Sequence, residues 1–210
     1  MVARIKTVAF QGAEDRPVDV QVQIAPGAQA FNIVGLADKA VAESRERVRA
    51  AFAAMGLDLP YQRIVINLAP ADLPKAGAHY DLPIALGLMG AMGAIPKDAI
   101  EDYFAMGELS LDGSLASVPG ALPAAVTASA EGLGLICPAA NGPEAAWAGD
   151  LTVLAPRNLI QIINHFKGTQ VLTPPQLGAI LDATSALDLR DVRGQETAKR
   201  ALEIAAAGGT

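Results

Sequence analysis

Few residues of this chain could do chemistry, and most of them share one loop. The stretch from Asn67 to Met92 reads N-L-A-P-A-D-L-P-K-A-G-A-H-Y-D-L-P-I-A-L-G-L-M-G-A-M and sets Lys75, His79 and Tyr80 just ahead of an almost wholly apolar segment. A lysine in apolar surroundings gives up its proton more readily and could serve as the base of a Ser–Lys peptidase. That chemistry needs a serine within reach, and none stands between Ser44 and Ser110; a solvated loop charge is the plainer role for Lys75. His79 could be a general base or a metal ligand, but a metal site takes three or four protein ligands and the one other histidine is the distant His165. A histidine hydrogen-bonded to loop backbone accounts for it more simply. Arg45, Arg47, Arg49, Arg63 and Lys75 supply cations for a phosphate-contacting face, which Glu43 and Glu46 dilute. Cys137 lies in an apolar run away from cations, the setting of an inert core thiol. In D-V-R-G-Q (Asp191–Gln195) a Gly-Gln turn opens a helix, where backbone could approach a flat ring such as adenine; Asp191 or Gly194 simply starting a helix explains it as well.

The elements that must position these residues follow from pattern. Residues 2–11 and 18–24 alternate apolar and polar and predict an antiparallel hairpin with one wet face. F-N-I-V (31–34) predicts a short strand. Asp38 then caps a helix to Met55, with Val41, Ser44, Val48, Ala51, Phe52 and Met55 on one stripe and the favoured Glu43–Arg47 pair on the wet side. Arg63–Leu68 is a strand feeding the loop. Asp81 is the expected N-cap of a helix in which Pro83 sits harmlessly in the first turn. From Leu82 to Met92 that helix is apolar all round, so it is expected to run through the middle of the fold. Beyond it the pattern predicts a short helix at 97–103, a hairpin of Phe104–Leu111 with Ser114–Val118 about Asp112-Gly113, then helix 122–130, strand 133–137, short helix 142–148, strand 151–154 and helix 158–166. Helices and strands in this order suggest a parallel or mixed sheet covered by helices. Residues 168–187, with Pro174-Pro175, lack a period and are expected to be a linker. The last piece, 188–210, is expected to be a capped helix (Gln195–Ala207) that begins a further domain.

Composition excludes several classes. A net charge of −6 in 210 residues argues against a free-standing, non-specific DNA-binding domain, though not against a local basic face or a ring gripping DNA at its centre. One cysteine rules out an intrachain disulfide, and no Cys/His spacing fits a zinc site. The longest apolar run, 82–95, is too short to span a bilayer, and no leader pattern opens the chain, so a cytosolic protein without a membrane partner is expected.

Four stretches, F-N-I-V-G-L-A-D-K-A-V-A-E-S-R-E-R-V-R-A-A, R-I-V-I-N-L-A-P-A-D-L-P-K-A-G-A-H-Y-D-L-P-I-A-L-G, G-E-L-S-L-D-G-S-L-A-S-V-P-G-A-L-P and G-Q-E-T-A-K-R-A-L-E-I-A-A-A-G-G, cover nearly the whole chain in order. With them the chain resembles the N-terminal part of a magnesium-chelatase-like AAA+ ATPase of the YifB/ComM family. The resemblance implies an α+β sandwich similar to the proteolytic domain of Lon protease, of the ribosomal small-subunit protein five, domain-2-like fold, over residues 1–167, followed by the 168–187 linker and a 188–210 stub of the AAA+ domain. Lon places its serine in P-K-D-G-P-S-A-G; here the run is Pro74 to Asp81 and His79 stands in that place. The Lon lysine position holds Leu122. Neither side chain replaces the dyad, so no catalytic residue is expected.

In the stub, Val192, Gly194 and Gln195 would border the adenine in the full-length protein. The phosphate-binding G-x-x-x-x-G-K-[ST] loop of the family is not in these residues, so this polypeptide is not expected to be an ATPase or to hold a cofactor or metal itself; ATP and Mg2+ are expected for the full-length protein. The resemblance implies a parent that forms a homo-oligomeric, hexameric ring with its own AAA+ domain and remodels DNA, as a helicase or in branch migration during recombination or natural transformation. Arg45, Arg49 and Lys75 are the candidate nucleic-acid contacts. Two other classes remain open: a protein-interaction module of a magnesium-chelatase-like ATPase, and a residual Ser–Lys peptidase.

Overall fold

Alternation in the first 25 residues builds the middle of the sheet. The computed structural model of the chain describes residues 2–11, 14–179 and 188–208, and pairs β1 (Val2–Gln11) with β2 (Glu14–Ala25) antiparallel, Val2 opposite Gln23. The second strand begins earlier than its sequence pattern, because Pro17 lies within it. Ala3, Ile5 and Thr7 share one buried face with Val18, Val20 and Val22, while Arg4 and Gln23 stay exposed. β3 (Ala30–Val34), α1 (Lys39–Ala54) and β4 (Arg63–Ala69) follow, with β4 antiparallel to β2 and parallel to β3. A 3-10 turn at Ala78–Tyr80 then runs into α2 (Asp81–Ala91), and α3 (Lys97–Ile100) and β5 (Tyr103–Ala105) complete the first half.

The second half contains β6 (Glu108–Leu109), β7 (Leu115–Ala116), α4 (Ala121–Ala130), β8 (Gly134–Ile136), α5 (Gly142–Ala145), β9 (Val153–Leu154) and α6 (Leu159–Phe166). Strand order in the main sheet is β3-β4-β2-β1-β5-β8-β9, parallel everywhere except at β2–β1 and β2–β4. The architecture is thus mixed α+β. α2 is buried from Asp81 to Gly90, as its all-round apolar sequence requires. Ile5 and Ala9 pack with it in one core, and Val8 packs with α4 in a second, so helices cover both faces of the central strands. The alanines of α4 (Ala121, Ala124, Ala125, Ala128) bring that helix close to Phe104 and Leu135.

Several expectations need correction. The long hairpin of 104–118 is not formed. Phe104 is instead in β5 of the main sheet, and only β6 and β7 pair about the turn. Ser110 N–H donates to Ser114 O, so Leu111, Asp112 and Gly113 make a three-residue loop in which Gly113 takes φ +84° and Asp112 accepts from Ser114 N–H. The helix expected at 97–103 ends at Ile100, since Tyr103 joins the sheet.

The expected linker also shifts. The chain divides into units 1–178 and 179–210, because residues beyond 167 lie on the first unit. Leu172 N–H donates to His165 Nδ1 at 3.1 Å, Gly178 N–H to Pro143 O at 3.0 Å, and Trp147 Nε1 to Gly178 O at 3.2 Å. A proline pair does not continue a helix, and Pro174 and Pro175 line one cavity with Trp147 and Leu151. The rest of the expected linker, 180–187, is outside the described residues. In the second unit α7 (Glu196–Ala206) follows a 3-10 turn at Leu189–Asp191, and Leu202 and Ile204 are exposed.

Candidate functional site

The loop between β4 and α2 is stitched to the segment between β3 and α1. Lys75 N–H donates to Leu36 O (3.1 Å) and Asp38 N–H to Lys75 O (2.9 Å). The crossing brings Gly35 (φ +111°) so near β4 that a Cβ there would lie 2.1 Å from Leu68 O, so this position demands glycine. Asp38 caps α1 as expected, accepting from Val41 N–H at 2.8 Å.

Lys75 is not the solvated charge its sequence suggests. Its side chain is fully buried and its ammonium donates to Pro70 O, closing the loop on itself. Burial lowers its pKa below the ordinary 10.5, with Asp72 opposing. An ammonium held inward cannot touch a phosphate, which removes Lys75 from the candidate nucleic-acid contacts. The other two are on α1: Arg45 is exposed and its Nε pairs with Glu46 at 2.8 Å, and Arg49 lies over the Phe31 ring at 5.9 Å. The three do not share one cationic face.

His79 is 6% exposed and its Nε2 is 2.9 Å from Val8 O. A carbonyl only accepts, so Nε2 carries the ring proton and Nδ1 is left bare in the neutral imidazole. The ring packs between Tyr80 (4.3 Å) and Phe10 (5.2 Å). Burial lowers its pKa, against the Val8 carbonyl and the more distant Asp81 and Asp38. The backbone-bonded histidine is the state observed, with the acceptor on β1 rather than in the loop. Tyr80 is fully buried and its hydroxyl, like that of Thr7, has no hydrogen-bond partner among the described residues.

Asp81 does more than the sequence suggested. It is the first residue of α2 rather than its cap, and its carboxylate, fully buried, reaches across to α1. There it accepts from Ser44 Oγ, Arg47 Nε (2.5 Å) and Arg47 Nη2 (2.9 Å), and from Leu109 N–H in β6 (3.0 Å). Arg47 also donates to Ala40 O at 3.1 Å, and its pKa is raised first by the hydrogen bond to Asp81, against desolvation. The expected Glu43–Arg47 pair survives only at 4.0 Å. Ser44 and Arg47 were missed as partners of Asp81. A serine in the apolar stripe of α1 and an aspartate opening an apolar helix were the available signals, since a buried polar group needs a partner.

Chemically, this arrangement holds three elements together and offers no activated nucleophile. The Ser44 hydroxyl is spent on Asp81, and Leu122, at the start of α4, contributes only its N–H, to Glu144 at 3.1 Å. Cys137 is buried and its pKa is pushed up to about 12 by burial, so its thiol is inert. Among the described residues no group of three His, Cys, Asp or Glu could hold a metal, and no helix is long and apolar enough to cross a membrane. Val192, Gly194 and Gln195 lie in the second unit, all exposed. Gly194 (φ +71°) and Gln195 (φ +58°) make consecutive left-handed residues ahead of α7.

Residues 20–141 match the family described as subunit ChlI of Mg-chelatase. The chain is 38% identical over 208 residues to YifB of Salmonella typhimurium, covering 99% of this chain and 41% of that protein. It is 38% identical over 205 residues to YifB of Escherichia coli, covering 98% and 40%. It is 34% identical over 212 residues to the competence protein ComM of Haemophilus influenzae, covering 99% and 42%. The chain therefore belongs to the magnesium-chelatase-like YifB/ComM family. It spans about two-fifths of the length of these relatives.

Proposed function

We propose that the whole protein is an ATP-driven, cytoplasmic DNA-remodelling machine, acting in branch migration or as a helicase during recombination or natural transformation. Residues 1–178 are its non-catalytic, Lon-protease-like domain, which supports assembly of a ring, most simply a hexamer. The likeness to a protein named for competence supports the first part. The second rests on one observation: where a Lon-type loop would present its serine, His79 is turned onto the Val8 carbonyl, and Lys75 is folded inward. The DNA grip then belongs to other parts of the machine, because Lys75 is buried and does not join Arg45 and Arg49 in one cationic face. ATP and Mg2+ are held by the parent's phosphate-binding loop, which is not among these residues; the open Gly194–Gln195 turn with Val192 offers only an adenine-side border.

A second reading has one observation in its favour, the chelatase-subunit name of the matching family. In it the domain is an interaction module of a metal-chelatase-like ATPase. One experiment separates them: the full-length protein incubated with ATP, Mg2+ and a synthetic four-way DNA junction, with casein as a peptidase control. ATP-dependent movement of the junction and intact casein are expected. Cleaved casein would remove the non-catalytic role, and capture of chelatase subunits without any DNA activity would favour the second reading.

A further inference from the structure

The free edge of the sheet at β3 carries an assignment that the loop does not. Among the described residues β3 pairs on one side only, with β4, and its other row of N–H and C=O groups has no strand partner. Natural edges are usually guarded by a charge, a proline or a covering segment. This one, Ala30-Phe31-Asn32-Ile33-Val34, has neither charge nor proline, and Val34 and Leu36 are 46% and 57% exposed. A groove of about 360 Å3 runs along it, with Asn32, Val34 and Val65 on the strands and Ala42 on α1. Among the described residues the charged side chains lining it are Arg45 and Arg63, with no carboxylate in the lining, in a chain whose net charge is −6. Arg45 gives its Nε to Glu46 at 2.8 Å on the exposed surface, a contact that a docked carboxylate can replace, while Arg63 has no ion pair among the described residues and Arg49 stands nearby over Phe31.

We propose that this edge is a docking strip for an extended, acidic peptide segment of a partner protein, which adds to the sheet beside β3. Backbone pairing supplies the attachment, Val34 and Val65 take apolar side chains, and Arg45 and Arg63 select carboxylates. A second copy of the chain is disfavoured as the occupant, since a two-fold pairing of β3 with itself would set the same arginines against each other. Single-stranded nucleic acid is disfavoured too, since the one ring in the groove, Phe31, is buried and offers no stacking platform. The inference does not depend on the DNA reading above.

The test uses the full 210-residue chain and a labelled short peptide alternating valine and threonine, with a glutamate near each end, read by fluorescence anisotropy. Saturable binding is expected, weakened about tenfold or more by Arg45→Glu with Arg63→Glu. It should be lost when alternate amides of the peptide are N-methylated, a change that keeps its charge and leaves the protein untouched. No binding, equal binding of the N-methylated peptide, displacement of the peptide by an oligothymidylate, or a self-associated dimer that excludes the peptide would each overturn the proposal.

Discussion

Asp81 and Lys75 stand in one loop–helix junction, both fully buried, and the fold treats them in opposite ways. Asp81 receives four hydrogen bonds from Ser44, Arg47 and Leu109, and so ties α1, α2 and the β6 segment together. Lys75 gives one, to the Pro70 carbonyl of its own loop. A buried carboxylate with every lone pair occupied and a guanidinium beside it fixes the relative placement of elements. A buried ammonium with one acceptor fixes only a local turn, and much of its dehydration stays uncompensated. The difference teaches that burying a charge is not by itself a sign of importance; the partners decide.

The largest break in this comparison is expected at the carboxylate. Asp81→Ala leaves the half-buried Arg47 with the Ala40 carbonyl and the 4.0 Å contact to Glu43, and should cost about 3–5 kcal/mol in urea unfolding. A loss below about 1 kcal/mol would mean that the corner does not organise the junction. Ser44→Ala removes one donor, and about 1 kcal/mol is expected.

His79 supplies the next effect through pH. Its unfolded value is near 6.5 and burial lowers it in the fold. Above 6.5 both states hold a neutral ring. Below it the unfolded chain takes up a proton that the folded chain refuses, so stability falls by up to about 1.4 kcal/mol per pH unit until the folded value is passed. His79→Gln keeps a donor for the Val8 carbonyl, and the wild-type minus variant difference between pH 7 and pH 5 should show this slope. A flat difference would put the imidazole in contact with water.

The smallest effect is expected at Lys75. Lys75→Met, similar in volume, should unfold within about 1 kcal/mol of wild type at pH 7, or be more stable. The sign with pH is clear: the folded value lies below 10.5, so wild-type stability should rise toward pH 10.5, and the variant should lack that rise. A loss of several kcal/mol in Lys75→Met would place this ammonium on the same footing as Asp81.

Much of the fold was legible because period and punctuation agreed. Alternation marked β1 and β2, Asp38 marked a helix start with its side-chain cap, and uniform apolarity marked α2 as central. What failed was pairing at a distance. Phe104 reads equally as a hairpin strand or a sheet strand, and only its packing with Val8 and Leu135 decides. Residues 169–178 read as linker because an extended strap has no period, although Leu172 and Gly178 are hydrogen-bonded to the body. At the site, His79 was read as bonded to the backbone of its own loop and is bonded instead to Val8 on β1, whereas Lys75 was read as solvated. The loop that buries it is closed by contacts with Leu36 and Asp38, far away in sequence. Asp81 was placed at the right helix end but given a local cap instead of its cross-helix partners.

The central claim is that Lys75, His79 and Asp81 of this loop are spent on the fold, and reductive methylation of the native chain tests it most directly. With mass spectrometry reading each lysine, exposed Lys39 should be dimethylated quickly while Lys75 stays unmodified until urea unfolds the protein. Modification of Lys75 in the folded state at the rate of Lys39 would contradict the account, because it would mean an accessible amine in this loop after all.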